Sequence, residues 1–180
     1  MIQPWPIIES TNGPDMGLFR IIINHCRSPR TGYEHRFYVI DFPDWVQILP
    51  LTSDNKVVMI RQYRHGCDRV FLELPGGLID ANDSSPEETA RRELLEETGY
   101  SAQEVVFLNK IYPQPAVMSH SGITYLARGV ERVSDINLDA TEDIEVCLVE
   151  LQKIPEMMRK GEINHGQTVM ALSVYFLLTK

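Results

Sequence analysis

Residues 92–100 read Arg92-Glu93-Leu94-Leu95-Glu96-Glu97-Thr98-Gly99-Tyr100. The three glutamates stand at i, i+3 and i+4, on one face of a helix. Like charges at that spacing destabilise a helix by about 0.2–0.5 kcal/mol per pair. A divalent cation held by oxygen ligands offsets such repulsion. Taken alone, the triplet reads as a solvated acidic face, the commoner meaning of an acidic helix. The residues before it change that reading.

The sequence marks both ends of the helix. Ser85 is a good N-cap, Pro86 suits the first helical position, and Glu88 completes a capping box with Ser85. Gly99 is a natural terminator. The spacing predicts a helix over 86–98, about 20 Å long. Ala90, Leu94 and Thr98 recur every fourth residue as its packing stripe, and Leu95 widens it. Glu93, Glu96 and Glu97 lie beside that stripe, at the margin of the core. Arg92 stands four residues from both Glu88 and Glu96, where it can neutralise and orient the cluster.

Upstream, Glu73-Leu74-Pro75-Gly76-Gly77-Leu78-Ile79-Asp80 reads as a short buried strand ending in a Pro-Gly-Gly turn. A loop, Ala81 to Ser84, leads into the cap. Glycines let backbone approach a ligand closely, and their carbonyls suit hard cations. A strand, a glycine loop and a helix of aligned carboxylates make a compact platform for phosphate and metal.

Gly77 through Tyr100 resembles the Nudix box, G-x5-E-x7-R-E-U-x-E-E-x-G-U with U apolar. From Arg92 onward every position matches. The first half departs by one residue. Counting forward from Gly77 puts Asp83 where the pattern has Glu, and counting back from Arg92 puts Ser84 there. The loop therefore carries a one-residue insertion and lacks that glutamate. The resemblance implies an α/β fold: the Nudix α/β/α sandwich with a mixed sheet, here preceded by a small N-terminal antiparallel β subdomain. It covers most of residues 20–178, although only the box is highly specific.

Composition sets outer bounds. A chain of 180 residues with 43% hydrophobic content suits one domain with a small extra sheet. A net charge of −8 argues against a nucleic-acid or membrane binder. Cys26, Cys67 and Cys147 are odd in number and widely spaced, with neither zinc spacing nor a disulfide framework, so a reducing cytoplasm is expected. Met1 to Ser10 lacks a basic stretch followed by an apolar run, so no signal peptide is expected. Val169 to Leu178, the longest apolar run, is too short to span a bilayer.

Phe19 to His25 and Glu34 to Asp41 read as paired strands around a turn at Arg27 to Gly32. They place an N-terminal β subdomain in residues 1–42 and the main domain in 43–180. Trp45 to Leu51 and Lys56 to Tyr63 form the next antiparallel pair, followed by strands at Glu104 to Ile111, Gly122 to Arg128 and Ile144 to Leu151. Helices are expected at Pro155 to Lys160 and Gln167 to Leu178. An isolated hairpin is marginal in water, so the first subdomain is expected to pack on a core or a second chain, as a homodimer.

Other residues gain meaning from the resemblance. Arg61-Gln62-Tyr63-Arg64 ahead of Glu73-Leu74-Pro75-Gly76-Gly77 resembles the ADP-ribose pyrophosphatase branch of the family. It implies that Arg64 contacts the diphosphate; otherwise a strand-end arginine is a surface charge. Between Glu131 and Glu145 lie six acidic residues, ordinarily a solvated loop. The branch implies that a Glu on this loop closes over the metals and helps activate water, and Glu142 fits best. His120 stands where many relatives with ADP-ribose activity carry Glu; it is either a substrate contact or a surface histidine. Gly161-Glu162-Ile163-Asn164 also resembles the branch and reads as support for the fold. Trp45, Tyr33, Phe37 and Tyr38 are candidates to stack on a base, although strand aromatics usually serve the core. Arg36 is a candidate substrate contact from the N-terminal sheet.

The expected activity is metal-dependent hydrolysis of a nucleoside diphosphate derivative, ADP-ribose first, giving AMP and ribose 5-phosphate. Glu93 and Glu97 are the expected direct ligands, with Glu96 sharing or supporting and the Gly76 carbonyl as a further ligand. Arg92 orients the glutamates, and Glu142 is the base or a closing ligand. The all-oxygen set favours magnesium, with manganese as an alternative. Two rivals remain: another nucleotide sugar such as GDP-mannose or a dinucleotide, and a regulatory domain that binds nucleotide without hydrolysis. The latter predicts broken ligands, whereas all three box glutamates are present. No EF-hand pattern supports a plain calcium-binding protein.

Overall fold

The computed structural model describes residues 1–80 and 82–179. Ala81, which the sequence places at the start of the box loop, lies outside them. The chain divides into two compact units: Met1–Asp44 with Tyr112–Ser121, and Trp45–Ile111 with Gly122–Lys180.

The first unit is an antiparallel sheet of β1 (Ile7–Asp15), β2 (Arg20–Arg27) and β3 (Glu34–Asp41), in that order. The expected hairpin is β2 with β3, and β1 is an addition. It has no apolar alternation, carries Gly13 and Pro14, and pairs with β2 through two register irregularities. Such a strand is tolerated at a sheet edge. The β2–β3 register sets Arg20 opposite Asp41 and Arg27 opposite Glu34, and both pairs close as ion pairs at 2.8 and 2.7 Å. The 112–121 segment joins this unit: Ile40 N donates to Val117 O at 2.8 Å, and Ser119 N to Ile40 O at 3.1 Å.

The second unit contains β4 (Trp45–Leu51), β5 (Lys56–Arg64), β6 (Arg69–Glu73), α1 (Pro86–Thr98), β7 (Tyr100–Ser101), β8 (Glu104–Ile111), β9 (Gly122–Arg128), β10 (Glu131–Arg132), β11 (Ile144–Glu150), α2 (Ile154–Lys160) and α3 (Gly166–Leu178). Six strands form one sheet in the order β11-β5-β4-β9-β8, with β6 also on β5. It is mixed, because β4 and β9 run parallel while the other pairs are antiparallel.

Alternation along β4 and β5 sorts the core into two layers. Val46, Ile48 and Val58 face Ala90 and Leu94 of α1. Leu49, Leu51, Val57 and Met59 face Ile154 of α2 and Ala171, Leu172 and Tyr175 of α3. The sheet lies between helices on both faces, which is the α/β/α sandwich. Among the described residues no helix is long and apolar enough to cross a membrane.

Candidate active site

The helix α1 starts and stops where its caps dictate. Ser85 Oγ accepts from Glu88 N at 3.2 Å, and Gly99 adopts a left-handed φ of 74° while its N–H reaches Leu95 O. The return half of the capping box is displaced by one residue: the Glu88 carboxylate accepts from the backbone N (2.7 Å) and the hydroxyl of Ser84. Glu88 is thereby taken, and Arg92 does not bond it.

Arg92 instead gathers three carboxylates, Asp83 at 3.1 Å, Glu93 at 3.0 Å and Glu96 at 2.9 Å. Asp83 also accepts from the Thr89 hydroxyl at 2.8 Å and from Asp80 N at 3.2 Å. Of the two loop residues left open by the insertion, Asp83 holds the arginine and Ser84 holds Glu88.

The three box glutamates are not equivalent. Glu93 is 8% and Glu97 2% exposed, whereas the Glu96 side chain is 39% exposed. Glu97 accepts one hydrogen bond, from Gly76 N at 2.9 Å. The turn that supplies it is pinned to β4, since Ile48 N donates to Pro75 O and Val46 N to Gly77 O, both at 2.9 Å. Gly76, at φ 157°, lies so close to Val46 O and Gln47 that a side chain there would clash. A side chain on Gly77 would strike the Glu93 carboxylate. Both glycines are demanded by close approach within the fold, to β4 and to the Glu93 carboxylate, where the sequence suggested approach to a ligand.

Burial, aided by the neighbouring charges of Glu93 and Glu142, pushes the Glu97 carboxyl up to about 8, against the pull of the Gly76 N–H. Burial also raises Glu93, with Arg92 opposing. Glu142 sits close enough for its charge to act on Glu93, Glu97 and Arg64. Its loop is tied to α1 through Asn137 N to Glu96 O and Val133 N to Gly99 O, both 2.8 Å. The Glu142 carboxylate accepts from Asp139 N at 3.1 Å.

These residues fit a hard divalent cation. Among the described residues, the two buried carboxylates are offset by one backbone N–H, by Arg92 beside Glu93 and by the Arg64 charge acting on Glu97, which leaves burial dominant, and a cation relieves that as a proton would. Among the described residues no three His, Cys, Asp or Glu side chains make a ready-made cation cage. Magnesium suits such a partial set, because it binds through one or two carboxylates and keeps waters or phosphate oxygens for the rest.

Arg64, at the end of β5, bonds the Glu73 carboxylate at two points, Nε to Oε1 at 2.9 Å and Nη2 to Oε2 at 2.7 Å. Glu73 is fully buried at 0% exposure, and His165 Nδ1 lies 3.4 Å from its Oε2. Sequence reasoning missed both partners. The signal for Glu73 was its place next to the glycine turn; His165, ninety-odd positions away in the chain, offered none.

Of the remaining candidates, Trp45 lays its ring on Gly122 and bridges Leu78, and its buried Nε1 has no partner among the described residues. In the first unit, Arg36 lies exposed on β3 opposite His25. His120 in the same unit is 6% exposed, so it is not a surface histidine. Its ring lies 5.2 Å from that of Phe42, and burial lowers its pKa while Asp44 opposes.

The sandwich, glycine turn and carboxylate helix together define a Nudix domain, and the model of the NUDIX domain matches residues 42–172. The chain belongs to the Nudix family. It is 35% identical over 148 residues to a GDP-mannose pyrophosphatase of Salmonella arizonae, covering 77% of this chain and 76% of that one. It is 29% identical over 135 residues to an ADP-ribose pyrophosphatase of Bacillus subtilis (strain 168), covering 74% and 72%. The crystal structure of an ADP compounds hydrolase superposes with a TM-score of 0.87 at 24% identity, covering 99% of this chain and 95% of that one. That likeness shows the fold.

Proposed function

We propose that the protein hydrolyses the diphosphate bond of nucleoside diphosphate derivatives in a divalent-metal-dependent reaction, with ADP-ribose as the substrate. Water and ADP-ribose would yield AMP and ribose 5-phosphate. The observation that carries this reading is Glu97, a buried carboxylate set beside Glu93 and under the influence of Glu142, with one N–H to satisfy it. That is an arrangement shaped for a cation rather than for stability.

Glu93 and Glu97 would hold the metal, magnesium or manganese, with Glu96 supporting them from the more exposed flank and the Gly76 carbonyl available beside them. A bound cation would neutralise charge developing on the phosphate oxygens. Arg92 keeps Glu93 and Glu96 aimed, and Asp83 keeps Arg92 aimed. Glu142 would take the proton from the attacking water, and Arg64 would donate to a diphosphate oxygen through its free edge.

A second reading, GDP-mannose as substrate, is favoured by the higher identity of the Salmonella relative. One experiment separates the two. Purified protein is incubated with a panel of nucleoside diphosphate compounds, with magnesium or chelator, beside Glu97→Gln. Magnesium-dependent AMP release from ADP-ribose, lost in the variant, supports the first reading; release of GMP from GDP-mannose alone selects the second. Binding of nucleotide with no turnover of any compound sinks both.

The first unit exposes a row of rings, Trp5, Phe37, His35 and Tyr33, each packed edge or face on the next. We infer a homodimer that covers such surface. Sedimentation showing only a 20.6 kDa species at micromolar concentration overturns that part.

A further inference from the structure

Glu73 cannot be left half-satisfied. A carboxylate at 0% exposure needs partners for both oxygens, or its burial costs several kcal/mol. Arg64 supplies one edge of its guanidinium, Nε and Nη2. That leaves Nη1 with no partner among the described residues, on a side chain that is 42% exposed.

The other side of Glu73 is closed from α3. His165 stands at its N-cap position, with Nδ1 3.4 Å from Glu73 Oε2 and 3.0 Å from Thr168 Oγ1. Thr168 Oγ1 in turn accepts from Leu74 N at 3.1 Å. The imidazole packs edge-on against Phe71, at 6.0 Å between ring centres. Strand β6, the residue after it and the first turn of α3 are thus joined at one point, and Arg64 is the only member that reaches outward.

We propose that His165 is a positioning residue for anion binding by Arg64: it fixes the Glu73 carboxylate, and Glu73 fixes the guanidinium so that its remaining donor edge is presented to a substrate oxygen. This rests on the hydrolase reading above. An arginine on a flexible stem loses side-chain entropy when it binds. Held beforehand at two points, it gives up less on contact with the ligand. The expected signature is therefore in binding rather than in the chemical step, because both residues act through Arg64.

The test uses His165→Leu, which keeps bulk against Phe71 and removes the ring nitrogen beside Glu73, and His165→Asn, which returns a polar group near the place of Nδ1. Each is measured alone and in an Arg64→Lys background, with steady-state kinetics on whichever panel compound the wild type cleaves. His165→Leu is expected to raise KM about tenfold with kcat within about twofold, and His165→Asn to restore most of that. In the Arg64→Lys background, His165→Leu should add less than twofold, since the group it positions is gone. The proposal is overturned if the two effects multiply, if KM is unmoved, or if kcat and thermal stability fall together with KM unchanged. Arg64→Lys with unaltered KM removes Arg64 from the diphosphate and overturns the proposal, while turnover itself keeps the hydrolase reading. If the wild type cleaves nothing, that reading fails separately. The same variants are then titrated with ADP by calorimetry, where equal, non-additive weakening supports the positioning role and unchanged affinity overturns it.

Discussion

Glu73 and Glu97 are both buried, and both are tied to one short segment, Glu73 to Gly77, yet their charges are handled in opposite ways. Glu73 is met by two arginine donors, with the His165 ring 3.4 Å away. Glu97 is met by one backbone N–H, by the charge of Arg64, which bonds Glu73 instead, and by the opposing charges of two further glutamates. The first is the usual solution for a carboxylate inside a protein, where each oxygen is satisfied and the charge is paired. The second leaves free energy stored in repulsion, which a protein tolerates where a ligand releases it. Strand β6 and the glycine turn hold a finished ion pair at one end and an unfinished one at the other.

The sharpest way to break this contrast is to neutralise each glutamate in turn. Glu97→Gln should cut metal-dependent turnover by about a thousandfold, the scale of losing several kcal/mol of charge stabilisation. In chelator the same variant should melt a few degrees higher than the wild type, because the wild type must take up a proton to bury this carboxyl and the amide need not. Glu73→Gln should do the reverse in stability. It leaves the Arg64 guanidinium, 42% exposed, beside an uncharged partner, at a cost of about 1–2 kcal/mol after solvent screening, read by urea unfolding. If both variants melted in the same direction, the distinction between finished and unfinished carboxylates would fail.

What the sequence revealed follows the same division. The helix α1 was legible to the residue, Pro86 to Thr98, since its caps and spacing are local rules. The shared face of the three glutamates was legible for the same reason, whereas what the two glycines accommodate, β4 and the Glu93 carboxylate, was not. The first strand was not, because Ile7–Asp15 is held by backbone pairing at a sheet edge and shows no period. Nor was Arg69–Glu73: the reading began a strand at Glu73, where one in fact ends. Arg92 was expected on Glu88, but the inserted loop residue put Ser84 on Glu88 and freed Arg92 for Asp83. His165 beside Glu73 depends on how α3 docks on the sheet, which no local pattern encodes.

A smaller effect sharpens the comparison through pH. The Glu97 carboxyl is pushed up to about 8 in the folded chain and returns to its ordinary value of about 4.5 when unfolded. Between those values the native state holds a proton that the unfolded state has released, so stability falls as pH rises. His120 and His165 are both lowered, chiefly by burial, and act in the opposite sense below about 6.5. The clean window is therefore pH 6.5 to 8. In chelator the melting temperature should drop by a few degrees across it, and Glu97→Gln should flatten the slope. Saturating magnesium should flatten it too, since the cation replaces the proton. A slope of equal size in Glu97→Gln would assign the titration elsewhere.

Asp83 offers the smallest effect and tests how far the platform depends on its surroundings. Counted back from Arg92 it stands one position before the place the box assigns to glutamate, yet its carboxylate reaches Arg92 at 3.1 Å with its side chain only 10% exposed. A shorter side chain on a loop lengthened by one residue covers the same span, so the insertion and the missing glutamate compensate one another. Arg92 keeps Glu93 and Glu96 when Asp83 is neutralised. Asp83→Asn should therefore lower kcat by less than about tenfold, with magnesium still required, because the arginine loses one of three anchors and none of the proposed metal ligands changes. Asp83→Glu is the sharper control. If the loop length is tuned to aspartate, the longer side chain overreaches and is no better than Asn; if only the charge matters, it restores wild-type turnover.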